Sequence, residues 1–252
     1  LPLHKLPDGI FLLCDTLLAF DHTRGRLLAI TYAEENSISE KEMAEERLNT
    51  IESKLATALP NTSHQFESES GTQQSHTKTS FQDMVLTAKE HIMAGDILQV
   101  VLSQKFTRKT KVHPFSIYRT LRRINPSPYM FYFDFGDLNA EPFQLIGASP
   151  EVHVRMENDR AILRPIAGTR PRGSTEQKDI ALATELLEDE KERAEHVMLI
   201  DLARNDLGRV CNYGSVELTD MMQVERYSHV MHIVSQVEGD LRADMDAFDL
   251  LA

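Results

Sequence analysis

The sequence is short of most features that announce a function. It has two cysteines, Cys14 and Cys211, far apart and without a partner motif. That excludes a disulfide scaffold and a Cys/His zinc module, and it fits a reduced, cytoplasmic setting. No apolar run approaches the roughly 20 residues that span a bilayer. Positive charge is scarce, with 27 Lys and Arg against 39 Asp and Glu and a net charge of −12. No basic patch is interleaved with aromatics, so nucleic acid and anionic membranes make poor partners. There is no P-loop, no G-x-G-x-x-G and no G-x-S-x-G. The chain opens on Leu1 without a signal-like segment and closes on Phe248-Asp249-Leu250-Leu251-Ala252, which reads as the start of a helix. Both ends are expected to be cuts through a longer protein, so a plastid-directing segment upstream would be invisible.

What remains is an ordinary globular composition. The 252 residues are 41% hydrophobic and 26% charged, enough for one large domain or two small ones. Residues 10–20 and 26–33 are short apolar runs flanking a turn, a hairpin signal. Residues 38–58 have helical spacing, and 60–80 form the one polar break, read as a linker. Phe81, Met84, Val85, Ala88 and Ile92 mark an amphipathic helix with Gly95 near its stop. Residues 97–106 read as a strand, and 114–124 as a helix opened by Pro114 and closed by Asn125-Pro126-Ser127-Pro128. Strands are expected near 129–135, 143–148, 151–156, 160–165 and 229–238. A long helical region covers 176–208, with a break near Glu195 or past Asn205. The fold class is α+β with large antiparallel β-sheets.

Four stretches can carry chemistry. In 185–196, Glu188, Glu192 and Glu195 share a helix face with Leu199 and Leu202. The stretch is either a solvated face of i, i+4 ion pairs or a set of inward carboxylates, costly unless paired or metal-bound. Oxygen donors of this kind suit Mg²⁺. In 201–209, Asp201, Arg204, Asn205 and Asp206 read best as a buried hydrogen-bonded network, with ligand duty the alternative. His232 shares a strand face with Val230 and Val234, while His229 points the other way. It is either a hydrogen-bonded core histidine or the best-placed acid–base group. Residues 164–173 read as a Pro/Gly loop, where Gly168 would let a ligand approach and Thr169 would donate to an anion.

The runs GDILQVVLSQKF (95–106), NPSPYMFYFDF (125–135), LIGASPEVHVR (145–155), RPIAGTRPRG (164–173), DEKERAEHVMLIDLARNDLGRV (189–210) and ERYSHVMHIVSQVEGDL (225–241) match in order and spacing. Together they resemble the chorismate-utilising enzymes, and within them the anthranilate synthase component I branch. The resemblance implies a variable N-terminal part over 1–60, the linker at 61–80 and a chorismate-binding catalytic domain over 81–252, continuing past Ala252. It implies Glu195 as a Mg²⁺ ligand with Glu192 beside it, Gly168 and Thr169 as chorismate contacts flanked by Ala167, and His232 as the active-site histidine. Pro128, Tyr129 and Met130 would form part of a feedback site for tryptophan.

Two positions speak to subtype. Relatives that form para-aminobenzoate precursors carry a nucleophilic lysine where this chain has Ala167. Isochorismate-forming relatives carry a lysine base where this chain has Gln99. Ammonia attacks without deprotonation, so both departures favour amination to anthranilate. The implied reaction adds ammonia at C2 of chorismate, expels the C4 hydroxyl, removes the C2 proton and releases pyruvate. Mg²⁺ would act as the Lewis acid, and a glutamine amidotransferase subunit would supply the ammonia. The alternatives are aminodeoxychorismate synthase component I and a non-catalytic module that binds tryptophan or an amidotransferase. The missing continuation would hold further Mg²⁺ ligands, so the 252 residues alone are expected not to turn over chorismate.

Overall fold

A computed structural model describes residues 7, 9–58, 71–136 and 142–252, and the chain divides into two compact units, 1–63 and 64–252. In the first unit, β1 (Thr16–Asp21) and β2 (Arg26–Thr31) form the expected hairpin, with Asp21 opposite Arg26. The Asp21 carboxylate accepts from the Arg24 N–H at 3.0 Å, and Gly25 takes φ +61° to close the turn. Residues 10–15 stay outside the ladder. Ser37 caps α1 (Ile38–Leu55) by accepting from the Glu40 N–H. Arg47 ties the helix to the hairpin, donating to the Tyr32 carbonyl at 2.9 Å and to Thr31 Oγ1 at 3.1 Å.

The second unit opens with β3 (Thr72–Gln74) and α2 (Lys78–Ala94), which ends on Gly95 at φ +80°. The segment read as a linker lies outside the described residues up to 70, and beyond that it forms β3 and the first turn of α2. The strand expected at 97–106 is not there. Only β4 (Phe106–Arg108) pairs, with β3. Among the described residues no strand lies beside 97–105, so this apolar run has no ladder to join; Leu98 and Val101 are 88% and 86% exposed. α3 (Pro114–Ile124) leads to the hairpin of β5 (Tyr129–Asp134) and β6 (Gln144–Ser149). The next expected strand shrinks to β7 (Arg155–Glu157). It turns into β8 (Arg160–Leu163) through Asn158 and Asp159, both at positive φ, as a type I′ turn requires.

The largest sheet is built on β11 (Val230–Asp240). β10 (Glu217–Arg226) pairs along one edge; β8 and β9 (Ile166–Pro171) divide the other. All pairings are antiparallel, so the α+β class holds. α4 (Glu176–Glu188) and α5 (Glu190–Val210) pack on this sheet. The helical region breaks at Asp189, not near Glu195 or past Asn205. Asp189 caps α5, its carboxylate accepting from the N–H groups of Lys191 and Glu192. Glu188 therefore ends a different helix from Glu192 and Glu195.

The face of α5 that enters the core also differs from the expectation. His196, Ile200, Ala203 and Leu207 are buried, whereas Leu202 is 54% exposed. Ile200, Ala203 and Leu207 pack with Ala161, Val237, Cys211 and Leu241, while Leu186 and Ala183 of α4 pack with Met231 and Ile233. The carboxylates run along the flank of the inward stripe, one residue out of phase with it. Asp201 and Arg204 form an exposed i, i+3 ion pair at 3.3 Å and not a buried network.

Leu207→Ala should cost about 2–5 kcal/mol by opening a cavity, and Leu202→Ala under about 1 kcal/mol. Urea unfolding of both variants measures the difference, and equal costs would contradict this helix phase.

Candidate functional site

The site begins with a fault in a β-ladder. β9 and β11 pair Arg170 with Met231 and Ala167 with Ile233, so Gly168 and Thr169 together oppose the single residue His232. Two residues against one is a β-bulge, and Gly168 at φ +65° supplies the left-handed conformation of the glycine-first type. The stretch read as a Pro/Gly loop is thus a strand whose glycine re-aims it. The Gly168 carbonyl leaves the ladder and meets His232 Nδ1 at 2.8 Å; Thr169 Oγ1 lies 3.1 Å from the same nitrogen. A carbonyl only accepts, so Nδ1 carries the proton. Nε2 is then the unprotonated nitrogen of the neutral ring, and among the described residues it has no hydrogen-bond partner. The Thr169 hydroxyl shares the Nδ1 proton and keeps its own to donate.

His232 rests on Tyr227, edge to face, with ring centroids 5.5 Å apart. The Tyr227 hydroxyl donates to Glu225 at 2.8 Å; burial first, then this bond, pushes its pKa up to about 12. Arg164 also pairs with Glu225. Arg172 holds the Tyr227 carbonyl at 2.9 Å while donating to Asp179 Oδ1 at 2.7 Å. Asp179 also accepts from Arg226 and from the Gly173 N–H, both at 2.8 Å. Arg172 above all, and then the Gly173 N–H, hold the Asp179 carboxyl far below the usual range. Gly173 is obligatory here, because a Cβ would stand 2.2 Å from the Asp179 nitrogen. Glu151 also faces His232. Desolvation raises its pKa, against the Ile166 N–H and the imidazoles of His153 and His232.

The bulge also meets the acidic helix. A Cβ on Gly168 would lie 3.4 Å from Glu192 Oε2. Glu195, one turn on, accepts from Gln99 Nε2 at 3.4 Å. The structure therefore gathers Gly168, Thr169, His232 and Glu192 around one bulge, and Gln99 with Glu195. Ala167 is the last paired residue before the bulge. Pro128, Tyr129 and Met130 lie at the start of β5, where Tyr129 lines a small recess with Glu151, Arg164 and Tyr227, two of which, Glu151 and Tyr227, also interact with His232.

The donor chemistry of Glu192 and Glu195 fits Mg²⁺, which takes one or two protein carboxylates and completes its shell with water or substrate oxygens. Among the described residues no three His, Cys, Asp or Glu side chains converge as a closed metal site. A larger cavity of about 430 Å³, lined in part by Glu151 and Arg164, lies between α5 and α6 (Ala247–Leu251) and holds none of Gly168, Thr169, His232, Glu192 and Glu195. Sequence reasoning missed Tyr227, Asp179, Arg170 and His196. The R-P-R-G and E-R-Y-S stretches held Arg170 and Tyr227 in plain view, but their packing around the bulge is a tertiary event.

An antiparallel sheet with a carboxylate-bearing helix laid over a histidine-facing bulge defines a fold and site for a small polar ligand. The whole stretch 2–252 matches the chorismate binding enzyme family, and the chain belongs to it. It is 46% identical to an anthranilate synthase component 1 from Aquifex aeolicus over 99% of this chain and 50% of that protein. It is 45% identical to an aminodeoxychorismate synthase component 1 from Bacillus subtilis over 98% of this chain and 52% of that protein. The crystal structure of anthranilate synthase component I from Streptococcus pneumoniae superposes with a TM-score of 0.82 at 39% identity, over 94% of this chain and 51% of that one. The chain thus spans about half the length of the relatives it matches. Among the described residues no helix is long and apolar enough to cross a membrane.

His196 offers a pH test of the scaffold. It is fully buried, 2.7 Å from Ser235 Oγ, with Nδ1 unpartnered, and burial pushes its pKa below the ordinary 6.5. The fold holds the neutral ring, so this contribution is complete above the unfolded value and fades as pH falls below it. Wild-type stability should therefore drop more steeply than that of His196→Asn between about pH 6.5 and about pH 5. Parallel profiles by denaturant titration would refute the assignment.

Proposed function

We propose that this chain is the anthranilate-forming part of an anthranilate synthase component I, converting chorismate and ammonia to anthranilate, pyruvate and water. The observation that carries the reading is the bulge, which sets Gly168 and Thr169 against His232 and leaves the Glu192 carboxylate of α5 beside Gly168. Gly168 removes the side chain that would crowd an incoming ring, and Thr169 offers a hydroxyl donor to a substrate oxygen. His232 presents Nε2 as the nitrogen that takes or returns a proton. Glu195 and Glu192 would hold Mg²⁺, which supplies Lewis-acid stabilisation of the substrate carboxylate. Ammonia carries its own lone pair and needs no base to attack, which agrees with Gln99 and Ala167 in place of lysines. The ammonia would come from a glutamine amidotransferase partner. Tryptophan as feedback inhibitor at Pro128, Tyr129 and Met130 completes the proposal.

Formation of aminodeoxychorismate is the second reading, since a relative of that name is 45% identical. Product identification by a full-length protein carrying this chain separates the two: anthranilate with pyruvate supports the first, and aminodeoxychorismate overturns it. Within that protein, Glu195→Gln should lower Mg²⁺-dependent turnover by at least about a hundredfold. Unchanged kcat/KM at saturating Mg²⁺ would remove Glu195 from the site.

A further inference from the structure

Arg170 sits directly after the bulge and faces the junction of α4 and α5. Its side chain is only 18% exposed, and it meets three carboxylates. Nε donates to Glu185 at 2.9 Å, Nη2 to Asp189 at 2.9 Å, and Nη1 to the Thr169 carbonyl at 3.0 Å. Glu192 is different. Its Oε1 stands 3.6 Å from Nη1, inside the range of a charge pair but without a hydrogen bond. Arg170 is thus anchored by three bonds, none of them to Glu192. The Glu192 carboxylate can turn toward a cation without breaking any of them, while the guanidinium stays in place.

We propose that Arg170 is a fixed counter-charge that weakens the hold of the Glu192–Glu195 pair on a divalent cation. The inference rests on the metal reading of these carboxylates given above. Arg170 touches no reacting atom. It acts through Glu192, by placing positive potential beside one of two candidate ligands and by engaging Glu185 and Asp189, which would otherwise add to the acidic cluster. At this separation, in a partly screened setting, one unit charge against a dication changes affinity measurably. A site so moderated would favour a cation arriving with, or after, an anionic substrate whose carboxylate restores the missing negative charge.

Mn²⁺ titration of a full-length protein carrying this chain, read by calorimetry and by the electron paramagnetic resonance of free Mn²⁺, tests this without any turnover. Arg170→Gln and Arg170→Met should bind Mn²⁺ about three- to tenfold more tightly than wild type, with the gap narrowing as salt rises. Arg170→Lys keeps the charge but not the fork, and should bind as wild type does. Unchanged or weaker binding in the Gln and Met variants overturns the proposal, as does a Lys variant that behaves like them. Loss of the folded state in every charge-removing variant also overturns it, in favour of a purely structural arginine. Glu195→Gln separates the two layers. If wild type binds no Mn²⁺, or binds it no better than Glu195→Gln, the metal reading itself fails and takes this one with it. If Glu195→Gln alone loses binding while the arginine variants change nothing, only the counter-charge falls.

Discussion

The hydrogen bond between His232 Nδ1 and the Gly168 carbonyl, 2.8 Å long, is where the ladder and the site become one object. A bulge in β9 leaves backbone polar groups without ladder partners, and a half-buried carbonyl left unpaired is costly. Here the side chain of the opposing residue fills the gap. The same contact fixes which imidazole nitrogen carries the proton and which way the ring faces. Without Gly168 at φ +65° the strand would run through in register, Thr169 would turn to the other face and His232 would have no carbonyl to meet. Scaffold and chemistry therefore depend on one glycine.

The ring of charged residues behind the bulge keeps that geometry rigid. Asp179 gathers Arg172, Arg226 and the Gly173 N–H, and thereby fixes the two strand ends that flank Tyr227, against which His232 rests. Arg170 does the equivalent on the other side, binding the bulge to the N-terminus of α5 through Asp189. Arg170 and Arg172 each donate from all three guanidinium nitrogens, and Arg226 from Nε. Half-buried clusters of this kind contribute modestly to stability but strongly to which arrangement is adopted, because a misplaced partner leaves a charge unpaired.

Much of this was legible in the sequence. The hairpin of the first unit, the helices starting at Lys78 and Pro114, the strand bearing His232 and the α+β class all follow from local patterning. The failures have physical causes. Glu217–Arg226 was not read as a strand because register shifts, with Met222 at φ +51°, break its period of two. Residues 97–105 begin with an apolar run suited to a strand but have no neighbour to pair with among the described residues, and composition alone cannot supply one. The break at Asp189 was encoded as Asp189 followed three residues later by Glu192, a helix-start pattern masked by good helix formers on both sides. The inward face of α5 was misjudged by one residue because the carboxylates were assumed to lie on the apolar stripe. They flank it, which spares them the full cost of burial. At the site, residue chemistry pointed to Gly168, Thr169, His232, Glu192 and Glu195 as candidates, while their supporting arginines and Tyr227 emerged only from packing.

The absence of a lysine at two positions acquires a structural meaning beside these contacts. Gln99 donates to Glu195 at 3.4 Å. A lysine there would place a full charge on the carboxylate proposed to hold the cation, and it would bring a second base to the site. At 167, a long cationic side chain would start one residue before the bulge, beside the Gly168 carbonyl that His232 already occupies. With glutamine and alanine in these places, the nitrogen left without a hydrogen-bond partner among the described residues at the bulge is Nε2 of His232, its ring oriented by the bond at Nδ1. In the reaction proposed above the nucleophile arrives as neutral ammonia, whose own lone pair needs no base to attack.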